Sequence, residues 1–126
     1  MYSHMMVGSN DIARSKQFYD ATFKAMGGKD GITDDKGRLI YLHNGGIFIV
    51  TSPIDGQPAT HGNGCTIGFA MTPEQADAWH TAGMEAGGTA IEDPPGVRSG
   101  GMGDLYLAYL RDPDGNKLCA LHRMGS

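Results

Sequence analysis

The chain has 126 residues, of which 40% are hydrophobic and 19% are charged, and this is the composition of one globular domain rather than of a disordered chain. Its formal net charge is −4 and its Lys and Arg residues form no cluster, which argues against a nucleic-acid partner. No apolar run is long enough for a membrane helix, no signal-peptide pattern opens the chain, and two cysteines give no disulfide framework. A cytoplasmic protein without a membrane partner is therefore expected.

Two helices are predicted from apolar residues at helical spacing. The first covers residues 11–26, with Ser9 or Asn10 as the cap and two glycines as the stop. The second begins after Thr72, which forms a capping box with Gln75. The predicted buried stripes are Ile12, Ser15, Tyr19, Thr22, Phe23 and Met26 in the first helix and Ala76, Trp79, Gly83 and Ala86 in the second.

The other segments are typical of short strands separated by glycine-rich turns. Strands are predicted at 4–8, 39–43, 47–51, 65–71, 105–110 and 117–122, with weaker candidates at 28–33 and 89–92. The order strand, helix and three strands thus occurs twice. This predicts an α+β fold in which two βαβββ modules, about 1–55 and 64–126, form a curved sheet around a cup-shaped pocket within a single domain, 1–126.

Side-chain alternation in the strand at 65–71 separates a bulky face from a small one. The bulky face carries Cys65 and predicts that this thiol packs in the core. The small face carries Thr66, Gly68 and Ala70, and such a face suits the wall of an open pocket.

Three segments carry a resemblance to a known family. They are Ser15-Lys16-Gln17-Phe18-Tyr19-Asp20 in the first helix, the intermodule loop from Asp55-Gly56-Gln57-Pro58-Ala59 to Gly62-Asn63-Gly64, and the last turn, Arg111-Asp112-Pro113-Asp114-Gly115-Asn116-Lys117. In this order, and with the module repeat, the chain resembles the vicinal-oxygen-chelate superfamily. This is the glyoxalase/bleomycin-resistance/dioxygenase fold, and the resemblance is strongest to its short lactoylglutathione-lyase-like members.

The resemblance implies where a metal ion would bind. Metal-dependent members hold a divalent ion with side chains from the first and last strands of each module, and these positions here are His4, Ile49, Thr66 and Cys119. Only His4 matches a metal ligand of the family. No tightly bound metal and no other cofactor are therefore expected, with a divalent metal as the fallback if the strand register differs.

The same cup positions imply the site residues. His4 and Cys119 are the predicted catalytic pair for proton chemistry, and Ile49, Thr66 and Arg98 are predicted to bind the substrate. Arg98 lies in a glycine-rich stretch, 95–104, that is predicted to be a mobile lid. The alternatives are a half-exposed strand histidine, a small buried cysteine and a solvated arginine.

Two functions follow from the resemblance. The first is a lyase- or isomerase-like enzyme that has lost most of the usual metal ligands. The second is a metal-free binding protein that sequesters a drug or metabolite, for which the acidic balance favours a cationic guest. A ring-cleaving dioxygenase is disfavoured because its triad of two histidines and a carboxylate is missing. A homodimer is implied by the resemblance alone.

Overall fold

The computed structural model describes residues 1–125, which fold into two helices and two mixed sheets. The first half contains β1 (Met5–Gly8), α1 (Ile12–Ala25), β2 (Ile32–Thr33), β3 (Leu39–His43) and β4 (Gly46–Thr51). The second half contains β5 (Ile67–Ala70), α2 (Pro73–Glu85), β6 (Thr89–Ala90), β7 (Gly96–Gly100), β8 (Gly103–Arg111) and β9 (Lys117–Arg123). The predicted α+β fold with a curved sheet is confirmed, with one more strand than expected in the second half.

The two sheets repeat one topology. The first sheet has the order β1-β4-β3-β2 and the second the order β5-β9-β8-β6, with β7 also paired to β8. β1 runs parallel to β4 as β5 runs parallel to β9, and the remaining pairs are antiparallel. The free edges of β1 and β5 face each other, because Met5 and Ile67 line the same two cavities. We call this gap between the edge strands the seam.

The helix ends follow local capping chemistry. Asp11 caps α1 and accepts a hydrogen bond from the backbone N–H of Arg14 at 3.1 Å, so the expectation of Ser9 or Asn10 as the cap was wrong. Ser9 is buried instead and shares a 2.6 Å hydrogen bond with Ser15. The capping box of Thr72 and Gln75 is confirmed. Within residues 1–125, neither helix is long and apolar enough to span a membrane.

A single hydrophobic core joins the two halves. The ring of Phe69 from β5 lies 5.7 Å from that of Phe23 and 5.4 Å from that of Phe48, both in the first half. Helix α2 packs closely at Gly83, where an added Cβ would lie 2.3 Å from Leu110 Cδ1 of β8 and 3.3 Å from Phe18 and Thr22 of α1. This position therefore accepts only glycine without rearrangement.

A buried polar network also ties the halves together. The Asp112 carboxylate accepts a hydrogen bond from the Tyr19 hydroxyl at 2.5 Å and others from the backbone N–H groups of Asp114 and Asn116 at 2.9 Å. Asp114 in turn accepts from the Arg14 guanidinium at 2.8 Å. Burial and the neighbouring Asp112 hold the pKa of Tyr19 well above its usual value, so the phenol remains the donor.

The three resemblance segments meet at this network. α1 supplies Tyr19 and the last turn supplies Asp112, while the intermodule loop is tied to the start of α1 by two hydrogen bonds between Asn10 and Ala59, of 2.7 and 3.2 Å. The segments that identify the family in the sequence are thus an intermodule link in the structure.

Two sequence predictions fail in the second half. The stretch 95–104 is not a lid loop, because Gly96–Gly100 forms β7 and pairs with β8 from Gly96↔Leu107 to Gly100↔Gly103. Cys65 is exposed rather than in the core, because β5 begins only at Ile67 and the strand alternation does not extend back to this residue. The alternation itself is confirmed, since Ile67 and Phe69 pack against the core and Gly68 and Ala70 are exposed.

Candidate functional site

The candidate site lies on the sheet surfaces that point away from the helices. The strand registers divide each sheet into a core side and an opposite side. We call the opposite side of the β1–β4 sheet the first face; its apolar residues are Met6, Ile32, Ile40, Leu42, Ile47 and Ile49. We call the opposite side of the β5–β9 sheet the second face; its residues include Thr66, Gly68, Ala70, Arg98, Leu105, Leu107, Tyr109, Lys117, Cys119 and Leu121.

The first face is apolar and largely uncovered. Met6 is paired with Ile49, which is paired with Ile40, and Ile40 is paired with Ile32, so four apolar side chains cross the sheet in one row. Ile32 is 58% exposed and Leu42 57% exposed. Ile49, predicted to bind substrate, is half-buried within this row and is separated from the seam by β1.

The second face carries a compact polar group around Cys119. Cys119 is buried and lies opposite Tyr109 in the β8–β9 register, and its thiol donates to the carbonyl of Ala120 at 3.5 Å. The Lys117 ammonium lies 5.0 Å from the centroid of the Tyr109 ring and forms an ion pair with Glu92. Together with Arg98, these residues form what we call the thiol cluster.

The Arg98 side chain turns back along its own strand, toward the other residues of this cluster. Its guanidinium donates to the carbonyls of Gly96 at 3.1 Å and Asp93 at 2.9 Å. Within residues 1–125 it forms no ion pair, so neutral carbonyls hold it in place without cancelling its charge. That charge acts on both Tyr109 and Cys119.

The thiol and the phenol of this cluster are protonated at neutral pH. Burial raises the pKa of Cys119, and the Glu92 carboxylate adds to this effect, against the opposing influence of Tyr109, Lys117 and Arg98. Burial also raises the pKa of Tyr109. Cys119 is therefore a protonated thiol at neutral pH rather than a reactive thiolate.

The predicted site residues fall into separate groups. His4 is exposed, and its Nδ1 lies 2.7 Å from the Ser3 hydroxyl. Thr66 is exposed and lines a cavity of about 490 Å³ along the seam, together with Met6 and Lys117. The structure thus places Arg98 with Cys119, and Thr66 across the seam from Met6.

In the described part of the chain, His4 and Cys119 are not joined by a hydrogen bond: His4 Nδ1 bonds with the Ser3 hydroxyl, and the Cys119 thiol donates to the Ala120 carbonyl. The functional roles of all five predicted residues stay predictions.

Sequence reasoning missed three members of the thiol cluster. Tyr109 lies beside Cys119 only through the β8–β9 register, and aligning the two strands about the Asp-Pro-Asp-Gly-Asn turn is the signal that reveals it. Lys117 is two residues before Cys119 on the same strand, so strand alternation alone is the signal for it. Glu92 lies in an irregular segment and has a φ of +59°, a left-handed conformation that is uncommon for a residue with a side chain. No local pattern predicts this conformation.

The residues present do not fit a metal ion. Within residues 1–125, no three His, Cys, Asp or Glu side chains come together as a possible ion site. Of the four positions implied by the resemblance, Ile49 offers no donor atom, and none of the other three, His4, Thr66 and Cys119, supplies a carboxylate.

Comparisons with known proteins give the family. A family model described as the glyoxalase/bleomycin resistance protein/dioxygenase superfamily matches residues 2–120. The crystal structure of a glyoxalase/bleomycin resistance protein from Albidiferax ferrireducens is 58% identical, with a TM-score of 0.94 over 98% of this chain and 99% of that chain.

A fosfomycin resistance protein from Listeria monocytogenes, crystallised with Mn(II) and a dihydroxypropylphosphonic acid, is 14% identical, with a TM-score of 0.70 over 98% of this chain and 90% of that chain. No curated protein matches the chain. The family model and the relative from Albidiferax ferrireducens cover nearly the whole chain, and the protein belongs to the glyoxalase/bleomycin resistance protein/dioxygenase superfamily.

Proposed function

We propose that this protein binds a small organic anion at the second face without a metal ion, and that it acts as a sequestering protein. The observation that carries the proposal is Arg98, whose charge stands beside the thiol cluster without a carboxylate partner in the described chain. Guanidinium groups bind carboxylates and phosphonates by charge-assisted hydrogen bonds. Met6 and Ile49, across the seam, offer apolar surface for the body of the guest.

Local charge argues for an anion rather than for the cation that the net charge favours. Arg98 and Lys117 lie at the cluster with one opposing carboxylate, that of Glu92, so the site itself is positive. Exposed charges more than about 10 Å away are largely screened at physiological ionic strength. The formal net charge of −4 therefore has less influence on the charge of the bound ligand than these three residues have.

The absence of a bound metal ion is part of the proposal. If two chains shared a cup, the four implied positions would still supply His4, Ile49, Thr66 and Cys119, because both chains have the same sequence. The test is mass spectrometry of untagged protein after exposure to nickel, zinc, manganese and ferrous ions. We expect no stoichiometric ion, and one bound ion per chain would contradict this and restore metal-dependent chemistry as the leading function.

Binding of simple anions tests the main proposal. Thermal shift and calorimetry with hexanoate should show saturable binding, whereas hexylammonium, a cation of equal chain length, should bind at least about tenfold more weakly. Arg98→Gln should remove most of the hexanoate affinity. Lys36→Gln is the control, because Lys36 is an exposed cation in the turn between β2 and β3, away from the second face. Equal binding of both probes, or an unchanged Arg98→Gln variant, would contradict the proposal.

A second candidate function is a lyase- or isomerase-like enzyme in which Cys119 is the proton donor and His4 its partner. The favouring observation is the buried thiol, which lies opposite Tyr109 and two residues from the Lys117 ammonium on the same strand. A substrate screen that includes a glutathione hemithioacetal tests it. Turnover that Cys119→Ser abolishes and Cys65→Ser preserves would support catalysis, and binding without turnover would support sequestration.

The proposal also includes a homodimer that covers the outer edge of the first face. Ile32 in β2 and Leu42 in β3 are exposed on neighbouring strands. A continuous exposed apolar patch commonly marks an association surface. Sedimentation of the Ile32→Lys/Leu42→Lys variant should show a monomer. Ile54→Lys is the control, because Ile54 is fully exposed in a loop, and it should leave a dimer intact. A wild-type monomer would contradict this part of the proposal.

A further inference from the structure

The two cations of the thiol cluster differ in their partners. The Lys117 ammonium is paired with the Glu92 carboxylate and also lies 5.0 Å from the centroid of the Tyr109 ring. It therefore has an anionic and an aromatic partner within the protein. Among the described residues, the Arg98 guanidinium has two carbonyl partners and forms no ion pair. Arg98 thus keeps its positive charge for a guest, whereas the charge of Lys117 is already balanced by Glu92.

The backbone at Glu92 has an unusual conformation. Two residues other than glycine have a positive φ in the described part of the chain, Asn44 and Glu92. Asn44 lies in the hairpin turn between β3 and β4, where asparagine is common. Glu92 has a φ of +59° in the irregular segment between β6 and β7, and no such turn explains it. Strained positions of this kind are concentrated at functional sites, where the surrounding structure holds them.

The Glu92 carboxylate acts on the same side chains as Arg98. Burial is the main cause of the raised pKa values of Cys119 and Tyr109, the negative charge of Glu92 raises both further, and the positive charge of Arg98 lowers both. The three charged groups therefore share one electrostatic environment. Arg98 and Lys117 contribute two positive charges and Glu92 one negative charge, which leaves the cluster a net charge of +1.

A net charge of +1 suits a guest with one negative charge. A monoanion neutralises the cluster, whereas a dianion leaves one negative charge uncompensated near the Glu92 carboxylate. Taking the second charge of a dianion out of water also costs free energy, and no further cation is available to compensate it. The charge balance therefore favours a carboxylate over a dianionic phosphate.

We infer that Glu92 is a specificity-determining residue, whose carboxylate restricts the second face to monoanionic guests such as carboxylates. This inference rests on the proposed anion site and adds the charge of the guest as a second element of recognition. Glu92 acts by repelling a dianion and by engaging Lys117, and a repulsive element of this kind is a common source of specificity.

The test compares hexanoate with pentyl phosphate. The two ligands share a pentyl chain, and pentyl phosphate carries two negative charges at about pH 8, because the second pKa of a phosphate monoester is about 6. Calorimetry at a fixed ionic strength measures both dissociation constants. The wild-type protein should bind pentyl phosphate at least about threefold more weakly than hexanoate.

The diagnostic variant is Glu92→Gln, which removes the charge and keeps the length of the side chain. The Glu92 side chain is 46% exposed, so the fold should be retained. Because repulsion is proportional to the charge of the guest, the gain for the dianion should be the square of the gain for the monoanion. We expect hexanoate to bind about threefold and pentyl phosphate about tenfold more tightly than to the wild type, so that the preference disappears.

Glu85→Gln is the matched control. It changes the net charge of the protein by the same amount, but Glu85 is exposed at the end of α2, on the other side of the sheet from the second face. Both affinities should change less than about twofold in this variant.

The remaining outcomes separate the two proposals. If pentyl phosphate binds the wild type at least as tightly as hexanoate, or if Glu92→Gln changes both affinities by the same factor, the inference on Glu92 is overturned and the anion site stands. If hexanoate binds neither the wild type nor Glu92→Gln, the anion site fails and the inference on Glu92 fails with it.

Discussion

The two faces of this molecule have the same strand topology and opposite chemistry. The first face is a field of aliphatic side chains around Ile40 and Ile49, whereas the second face holds a buried thiol, a phenol and three charged groups. Duplicated topology therefore does not duplicate a site. The backbone provides two equivalent surfaces, and side chains alone decide which one can recognise a charged ligand.

The two faces also differ in the groups that they leave without an interaction partner. Ile32 and Leu42 leave apolar area exposed to water, which favours association with another surface. Arg98 leaves a charge without a counter-ion in the described chain, which favours a small anion. One face thus favours a large partner and the other a small one.

The largest expected effect compares the two cysteines. Cys65 is exposed at the seam, whereas Cys119 is buried on the second face and holds its proton because burial raises its pKa. When the native protein is treated with a thiol reagent at neutral pH, Cys65 should be modified about a thousandfold faster than Cys119. Mass spectrometry over time measures both rates, with Cys65→Ser isolating the slow site. Similar rates would show that the second face is open rather than closed.

The next effect concerns the link that holds the faces side by side. Asp112→Ala leaves the Tyr19 hydroxyl and the Asn116 amide without their acceptor in a buried place, so the free energy of unfolding should fall by about 3 kcal/mol. Urea denaturation measures this loss. Asp35→Ala replaces an exposed aspartate and is the control that should change stability by less than about 0.5 kcal/mol. Equal stability of both variants would contradict the assigned role of the network.

A smaller effect concerns the packing of α2 against β8. Gly83→Ala should destabilise the fold by about 1–2 kcal/mol, because the new methyl group overlaps the buried Leu110 side chain. The sign is informative, since the same change in an open helix stabilises by about 1 kcal/mol. Thermal unfolding measures it. A gain in stability would show that α2 packs less closely against β8 than the structure indicates.

The smallest effect is a pH dependence beneath the second face. Burial lowers the pKa of His80, despite the nearby Tyr109 backbone and Asp77 carboxylate, which act in the opposite direction. The unfolded chain therefore binds a proton more readily than the folded one. Stability should be unaffected above pH about 6.5 and should decline as the pH falls from there toward the lowered folded pKa. Urea midpoints from pH 7.5 to 5 should show this slope, and His80→Gln should flatten it. An unchanged slope would assign it to another group.

Local sequence chemistry predicts well the two helices and the order of helices and strands along the chain. The capping box of Thr72 and Gln75 is a contact within one turn, and α1 ends one residue from its predicted stop. β7 escapes prediction because a strand with glycine at both ends has no apolar alternation and forms only through its pairing with β8.

The candidate site is less predictable because it depends on register. Alternation placed Gly68 on the open surface but not Tyr109 beside Cys119, since this pair requires two strands to be aligned. The Tyr19–Asp112 hydrogen bond spans 93 residues, and no local spacing indicates it.

That long-range hydrogen bond has a consequence for how the chain folds as it is made. The first half emerges from the ribosome with the hydroxyl of Tyr19 lacking its acceptor and with Phe23 and Phe48 lacking the ring of Phe69. Neither the polar nor the apolar part of its interior is complete until almost the entire sequence has been synthesised. A truncated first module should therefore remain a substrate for chaperones, and native folding should occur in one late, cooperative step.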